Sequence, residues 1–218
     1  YNDTLSFEIT FIKRGGKIFS REEVREINAW LTSPKIPSLL VLGNEDDPVY
    51  HYGLFTAVTD VYTIGIAALT YTFTSNAPYG WSKEYKYIQS CANGSTFILN
   101  NDSDDTQDCV YPSIVIEGTK GEKITLTNTT EIEEFSITLP CTTLYVNSKY
   151  HQIYTYYATK KTVITLSELG WDEKTQESIA DGTKGIYWFR LLPGKNNIKV
   201  TGTCKITFTY RTPVKAVY

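Results

Sequence analysis

The residues in this 218-residue chain most able to do chemistry are carboxylates grouped closely in sequence. Asp46 and Asp47, and separately Asp102, Asp104 and Asp105, offer the oxygen ligands that a hard cation such as Ca²⁺ prefers, but the spacing of a calcium-binding loop is missing. Turns are rich in Asp because its side chain bonds the local backbone, so solvated acidic loops are the simpler account. Glu131, Glu133 and Glu134, with Asp172 and Glu173 elsewhere, would serve a glycosidase if two of them met across a cleft, and nothing in their spacing brings them together. His51 and His151 stand apart from Cys91, Cys109, Cys141 and Cys204, which show no CxxC spacing, so a zinc site has no support. There is no G-x-S-x-G elbow and no phosphate-cradling glycine loop. These residues describe a non-enzymatic protein, with no catalytic, cofactor-binding or metal-binding residue to assign and no cofactor implied.

Two other residue groups bear on binding rather than catalysis. The even cysteine count permits disulfides. Four reduced thiols, with Cys91, Cys141 and Cys204 in strand-like contexts as small hydrophobes, are the simpler reading, and a Cys91–Cys109 bridge is the first alternative because those two flank one polar loop. The chain also carries 17 Tyr, 9 Phe and 4 Trp. Flat rings at a surface can stack on sugar faces, and Trp171 in a polar loop together with Tyr156, near Tyr154 and Tyr157, is the candidate glycan platform. Tyrosines alternating along a strand follow equally from β-propensity.

The elements that must position these groups are mostly strands. Residues 5–12 alternate as Leu5, Phe7, Ile9 and Phe11, the period of a strand with one buried face. After Gly15-Gly16, Ser20 followed by Glu23 forms a capping box, and Val24, Ile27 and Leu31 then fall on one helical face that Trp30 extends. Arg21, Glu22, Arg25 and Glu26 remain on the other side, either as a solvated face or as a contact with a neighbouring subunit. Pro34 and Pro37 end the helix. Strands are expected at 38–42, 50–55, 57–64 and 65–74, then at 82–90. Residues 93–108 read as a polar loop, followed by strands at 113–117, 123–128, 134–139, 143–147, 152–157, 186–192, 196–201 and 204–211. Residues 160–185 interrupt that series as a polar loop holding one helical turn.

The fold class expected is therefore mainly β: two sandwich-like domains, 1–84 and 85–218, with one short helix in the first. A net charge of -3 with scattered lysines and arginines gives no footprint for a nucleic-acid backbone. No run of apolar residues is long enough to span a bilayer as a helix, so membrane insertion is not expected. The start at Tyr1 and the lack of methionine read as a fragment, truncated at the beginning of its first domain.

Family likeness enters through particular stretches. Residues 7–11 and then 20–32, with the pattern E-x-R-E-I-N-x-W-L, resemble the strand and helix of phage distal tail proteins. The likeness continues through 52–56 and the Pro78-Tyr79 exit, the G-x-x-I-x-L-x-N-T stretch ending at Thr129, and the L-x-P-G-x-N-x-I turn over 191–198. It implies a first domain that closes into a homo-hexameric ring and a galectin-like or carbohydrate-module-like second sandwich. The protein would then be a structural hub at the virion tail tip, made in the bacterial host cytoplasm. Its implied partners are itself, the tail tube protein, tail-tip or receptor-binding proteins, and host cell-wall carbohydrate. A carbohydrate-binding module of a cell-surface or adhesion protein is the alternative. In the first case Arg21, Glu22, Arg25 and Glu26 are the candidate subunit interface, and in either case Tyr156 and Trp171 are the candidate glycan platform.

Overall fold

The computed structural model describes residues 4–43, 46–62, 65–169 and 186–215. By internal contacts the chain divides into two units, Tyr1–Lys83 with Pro213–Tyr218, and Glu84–Thr212.

In the first unit, β1 (Ser6–Ile12) pairs antiparallel with β4 (Ile66–Ser75), placing Phe7, Ile9 and Phe11 opposite Phe73, Tyr71 and Leu69. Opposed residues of an antiparallel pair share a sheet face, so the alternation read from residues 5–12 delivers three side chains to one layer. Leu69, Tyr71 and Phe73 are fully buried, each worth roughly 1.5–3 kcal/mol relative to exposure. The two strands expected at 50–55 and 57–64 are one, β3 (Pro48–Tyr62), whose register against β4 shifts between Phe55 and Ala57. A bulge there lets one long strand change its twist without ending. Gly53 of β3 lies so close to β4 that a Cβ would sit 2.2 Å from the Thr74 carbonyl oxygen. β2 (Ser38–Gly43) pairs with the first half of β3, and β5 (Gly80–Trp81) pairs with both β3 and the returning β16 (Pro213–Val214).

Helix α1 (Arg21–Thr32) is capped as its sequence requires. The Glu23 amide donates to Ser20 Oγ at 3.2 Å, and the Ser20 amide donates to a Glu23 carboxylate oxygen at 2.8 Å. Val24 and Leu31 are buried against Leu69 and Tyr71, with Ile27 packed beside them, and the Tyr71 hydroxyl donates to Asn28 Oδ1 at 2.6 Å. Trp30 departs from expectation: it does not extend the buried stripe but is 71% exposed. At about 100° per residue it lies some 60° beyond Ile27 on the side away from Val24, outside the arc the sheet covers.

The second unit is a sandwich. One sheet has the order β10 (Glu133–Thr138), β9 (Lys123–Asn128), β14 (Gly194–Thr201), β7 (Ser95–Asn101). The other runs β13 (Lys160–Ile164), β12 (Gln152–Tyr157), β11 (Thr143–Asn147), β8 (Ser113–Gly118), β15 (Cys204–Tyr210), β6 (Tyr85–Cys91). Inward residues of both sheets form one core that includes Ile116, Leu126, Leu144, Val200, Ile206 and Phe208.

Three elements of this unit correct the sequence reading. β7 lies within the expected polar loop 93–108: its Phe97 and Leu99 point into the core while Thr96, Ile98 and Asn100 point out. β13 lies at the start of the expected loop 160–185 as an edge strand bearing Lys160 and Lys161, a common way to keep an open edge soluble. A short 3₁₀ turn over Ser167–Leu169 follows it.

The third correction is the expected strand 186–192, which has only a single bridge, Leu191 to Val110. Its backbone is satisfied by asparagine side chains. Asn128 Nδ2 donates to the Arg190 carbonyl at 3.2 Å, Asn101 Nδ2 to the Leu191 carbonyl at 3.1 Å, and Asn196 both accepts from the Leu192 amide at 2.8 Å and donates to its carbonyl at 2.7 Å. A segment pinned in this way can bury Trp188, Phe189 and Leu191 without joining a sheet.

All four cysteines are free thiols, in line with the simpler reading, but their surroundings differ from the alternative pairing. Cys91 faces Cys204 across the β6–β15 ladder and not Cys109, and Cys141 sits in a bend before β11.

Candidate functional site

All four residues proposed as a subunit contact, Arg21, Glu22, Arg25 and Glu26, are exposed on α1. Glu22 and Glu26 line a shallow depression together with Lys13, Ile18, Phe19 and Glu23. The Glu23 carboxylate is ion-paired to Lys13, and that hydrogen bond, with a second from the Ser20 amide, holds the carboxyl below its ordinary value. The charged side of the helix is thus part ordered pair and part open rim.

A second exposed feature follows directly along the chain, and sequence reasoning missed it. After Trp30, Ile36 is 76% exposed, Leu39 52% and Val41 48%. Leu39 and Val41 share one face of β2, while Leu40 and Leu42 turn to the other and are half-buried. Among the described strands β2 pairs only with β3, so its outer edge presents unpaired backbone groups beside apolar side chains. The signal was available in the sequence: Leu39-Leu40-Val41-Leu42 is apolar on both faces, whereas an edge strand with one solvated face should alternate. Trp30, Leu39 and Val41 are groups that an assembled state would remove from water.

In the second unit, Tyr156 is 45% exposed on β12. It meets the Tyr145 ring edge-on at 5.1 Å and the Tyr154 ring at 5.8 Å, while Tyr145 and Tyr154 stack at 5.2 Å with 8° between planes. Lys161 Nζ lies 3.9 Å from the Tyr154 ring centre, a cation–π contact. These side chains stand on the sheet face opposite the core. Trp171, the other half of the proposed platform, lies outside the described residues, so Tyr156 is placed with Tyr145 and Tyr154 as its neighbours.

Among the described carboxylates, Glu131 is taken up by a local network. Glu131 accepts from Arg190 Nε at 2.7 Å and from the Tyr187 hydroxyl at 2.9 Å. Burial pushes its carboxyl up, but the Arg190 and Tyr187 hydrogen bonds outweigh this and leave it lowered. Such a carboxylate is held as an anion and is not poised for proton transfer. Asp105 is buried and accepts from the Gln107 amide at 3.1 Å, closing a local turn. Asp172 and Glu173 lie outside the described residues. Among the described residues no three His, Cys, Asp or Glu side chains are gathered in a way that could hold a metal ion.

Comparison with known proteins adds independent findings. A family model described as a phage tail protein N-terminal domain matches residues 1–77, and one described as a phage tail C-terminal domain matches residues 79–210. No curated protein sequence matches the chain. Among solved structures, the Dit protein of phage SPP1, described as a paradigm of hub adsorption apparatus in Gram-positive infecting phages, is similar with a TM-score of 0.61. It is 14% identical, over 96% of this chain and 79% of that one. A chain of the phage P2 baseplate in its activated conformation with Ca is similar with a TM-score of 0.52 and 10% identity, over 100% of this chain and 81% of that one. At such identities the likeness is one of fold.

Proposed function

The chain belongs to the phage tail protein family whose N- and C-terminal domain models match it, and from that premise we propose that it is the hub of a tail tip, six copies closing into a ring. The ring would join the tail tube on one side to tail-tip and receptor-binding proteins on the other, after synthesis in the host cytoplasm. The observation that carries this reading is the exposed apolar run of the first unit, Trp30, Ile36, Leu39 and Val41, ending on a strand with an open edge. A monomer gains nothing by displaying it, whereas a heterologous contact repeated around a closed ring would cover it once per copy. The charged rim at Arg21, Glu22, Arg25 and Glu26 flanks that run in sequence and fits the polar border of such a contact. The likeness in fold to the hub protein of phage SPP1 supports the same assignment.

The test is imaging of the purified full chain by negative-stain electron microscopy. Six-fold rings are expected, and an Arg in place of Leu39 should abolish them while circular dichroism stays unchanged. Single particles without rings at any concentration, or rings that persist with Leu39→Arg, would overturn the reading or its placement of the contact.

The tyrosine cluster of the second unit favours a second role, contact with a cell-wall saccharide. Tyr156 presents an exposed ring braced by Tyr145 and Tyr154, with Lys161 beside it, the combination of flat apolar surface and polar handle that sugar faces require.

A further inference from the structure

We propose that Cys91 and Cys204 form a modification site, becoming joined as a cross-strand disulfide by exchange with a small-molecule disulfide when the protein leaves a reducing compartment. The pairing follows from register. Cys204 of β15 is the direct partner of Cys91 of β6, so both side chains project to the same sheet face. They are 4% and 6% exposed and belong to one core cluster. Directly opposed Cβ atoms in an antiparallel pair lie about 4.5–5.5 Å apart, and a disulfide needs about 3.5–4.5 Å. The pair closes the β6–β15 ladder beside the bend through Gly202, and Cys91 lies on the edge strand β6, so the approach can come from the β6 side while β15 stays paired to β8 through Cys204 and Gly118.

The other two thiols are differently engaged. Cys141 Sγ donates to the Thr143 carbonyl at 3.1 Å, and Cys109 precedes the Val110–Leu191 bridge, outside the β6–β15 ladder.

The chemistry balances as two exchanges. One cysteine thiolate attacks a sulfur of the small disulfide, forming a mixed disulfide and releasing one small thiol. The second cysteine thiolate then displaces the other small thiol. Two cysteine protons and the two electrons of oxidation end on the two released thiols. Burial raises both cysteines, Cys204 up to about 12 with Cys91 itself a contributing charge, so few thiolates exist at neutral pH and the reaction is slow there and faster in alkali.

A bond between these strands would tie the first strand of the second unit to its last long one, closing a loop through nearly the whole unit and restricting its unfolded state. Virions meet oxidising surroundings that the cytoplasm does not offer. The pairing itself depends only on register and burial and is indifferent to the ring.

The experiment incubates the native full chain with oxidised glutathione at pH 8.5, blocks free thiols, and maps the non-reduced digest by mass spectrometry. The expected result is a peptide containing Cys91 linked to one containing Cys204, with Cys109 and Cys141 alkylated. Thermal unfolding of the second unit should rise by several degrees, return on reduction, and stay unshifted in Cys204→Ala. Linkage through Cys109 or Cys141, a stable glutathione adduct with no internal link, or linkage only after denaturation would each overturn the proposal.

Discussion

Replacing Glu131 with Ala tests whether the ion-paired network of the second unit is structural. Glu131 sits in the turn after β9 and is the shared acceptor for Arg190 and Tyr187, two residues of the irregular segment before β14. Its side chain is 11% exposed and that of Arg190 is 39%. The partly exposed guanidinium can turn to water, so loss of its pair costs only about 0.5–1 kcal/mol after screening. The half-buried Tyr187 hydroxyl, left without its acceptor, costs about 1–2 kcal/mol. The sum, about 2 kcal/mol, should lower the melting temperature of the second unit by roughly 6–10 °C for a unit of this size. Glu131→Gln keeps one acceptor oxygen and should lose about half as much. The folded carboxyl is lowered from 4.5, so its stabilisation is complete above that value and is lost as pH falls through the lower folded value. The gap between wild type and Glu131→Gln, which does not titrate, should therefore narrow as pH falls below 4.5. Differential scanning calorimetry across pH 3–8 reads all of this. A change under about 2 °C in Glu131→Ala, or a gap that widens on acidification, would refute the reasoning.

Three further outcomes follow from the geometry. Ser20→Ala removes the acceptor for the Glu23 amide and should cost the first unit about 1 kcal/mol, read by urea unfolding. Gly53→Ala places a methyl group against the β4 backbone and should cost about 2–3 kcal/mol, more than an alanine usually does in a strand, checked by the same unfolding curves. If the tyrosine cluster touches saccharide, Tyr156→Ala should weaken binding to purified cell-wall glycan by at least about tenfold, measured by calorimetric titration, with no change in melting temperature.

Much of this fold was legible because its signals are local. The Ser20–Glu23 capping box announces its helix, and the alternation through Phe7, Ile9 and Phe11 announces β1. What escaped was decided by distant partners. β7 was hidden because only Phe97 and Leu99 mark its buried face while asparagines crowd its end, and the burial of Asn101 depends on a carbonyl about ninety residues away in sequence. The segment at 186–192 has a strand's composition, but Pro193 withholds an amide, Gly194 turns with φ +84°, and asparagine side chains take over the pairing. Trp30 keeps the three-residue spacing from Ile27, but its angle on the helix lies beyond Ile27 and away from Val24, which leaves it exposed. The opposition of Cys91 and Cys204 could not be read without knowing that the first and last long strands of the second unit are neighbours. For the candidate site, the charged helix face was visible from sequence, whereas the apolar run on β2 gains its meaning only once β2 is known to be an edge.

The most direct test of the central claim is the solution mass of the full chain, measured by light scattering over a wide concentration range. The account predicts six times the 24.7 kDa chain mass or a multiple of that, falling to the single-chain mass with Leu39→Arg. A single-chain mass at every concentration, with tail-tube and tail-tip partners added as well as without them, would contradict it.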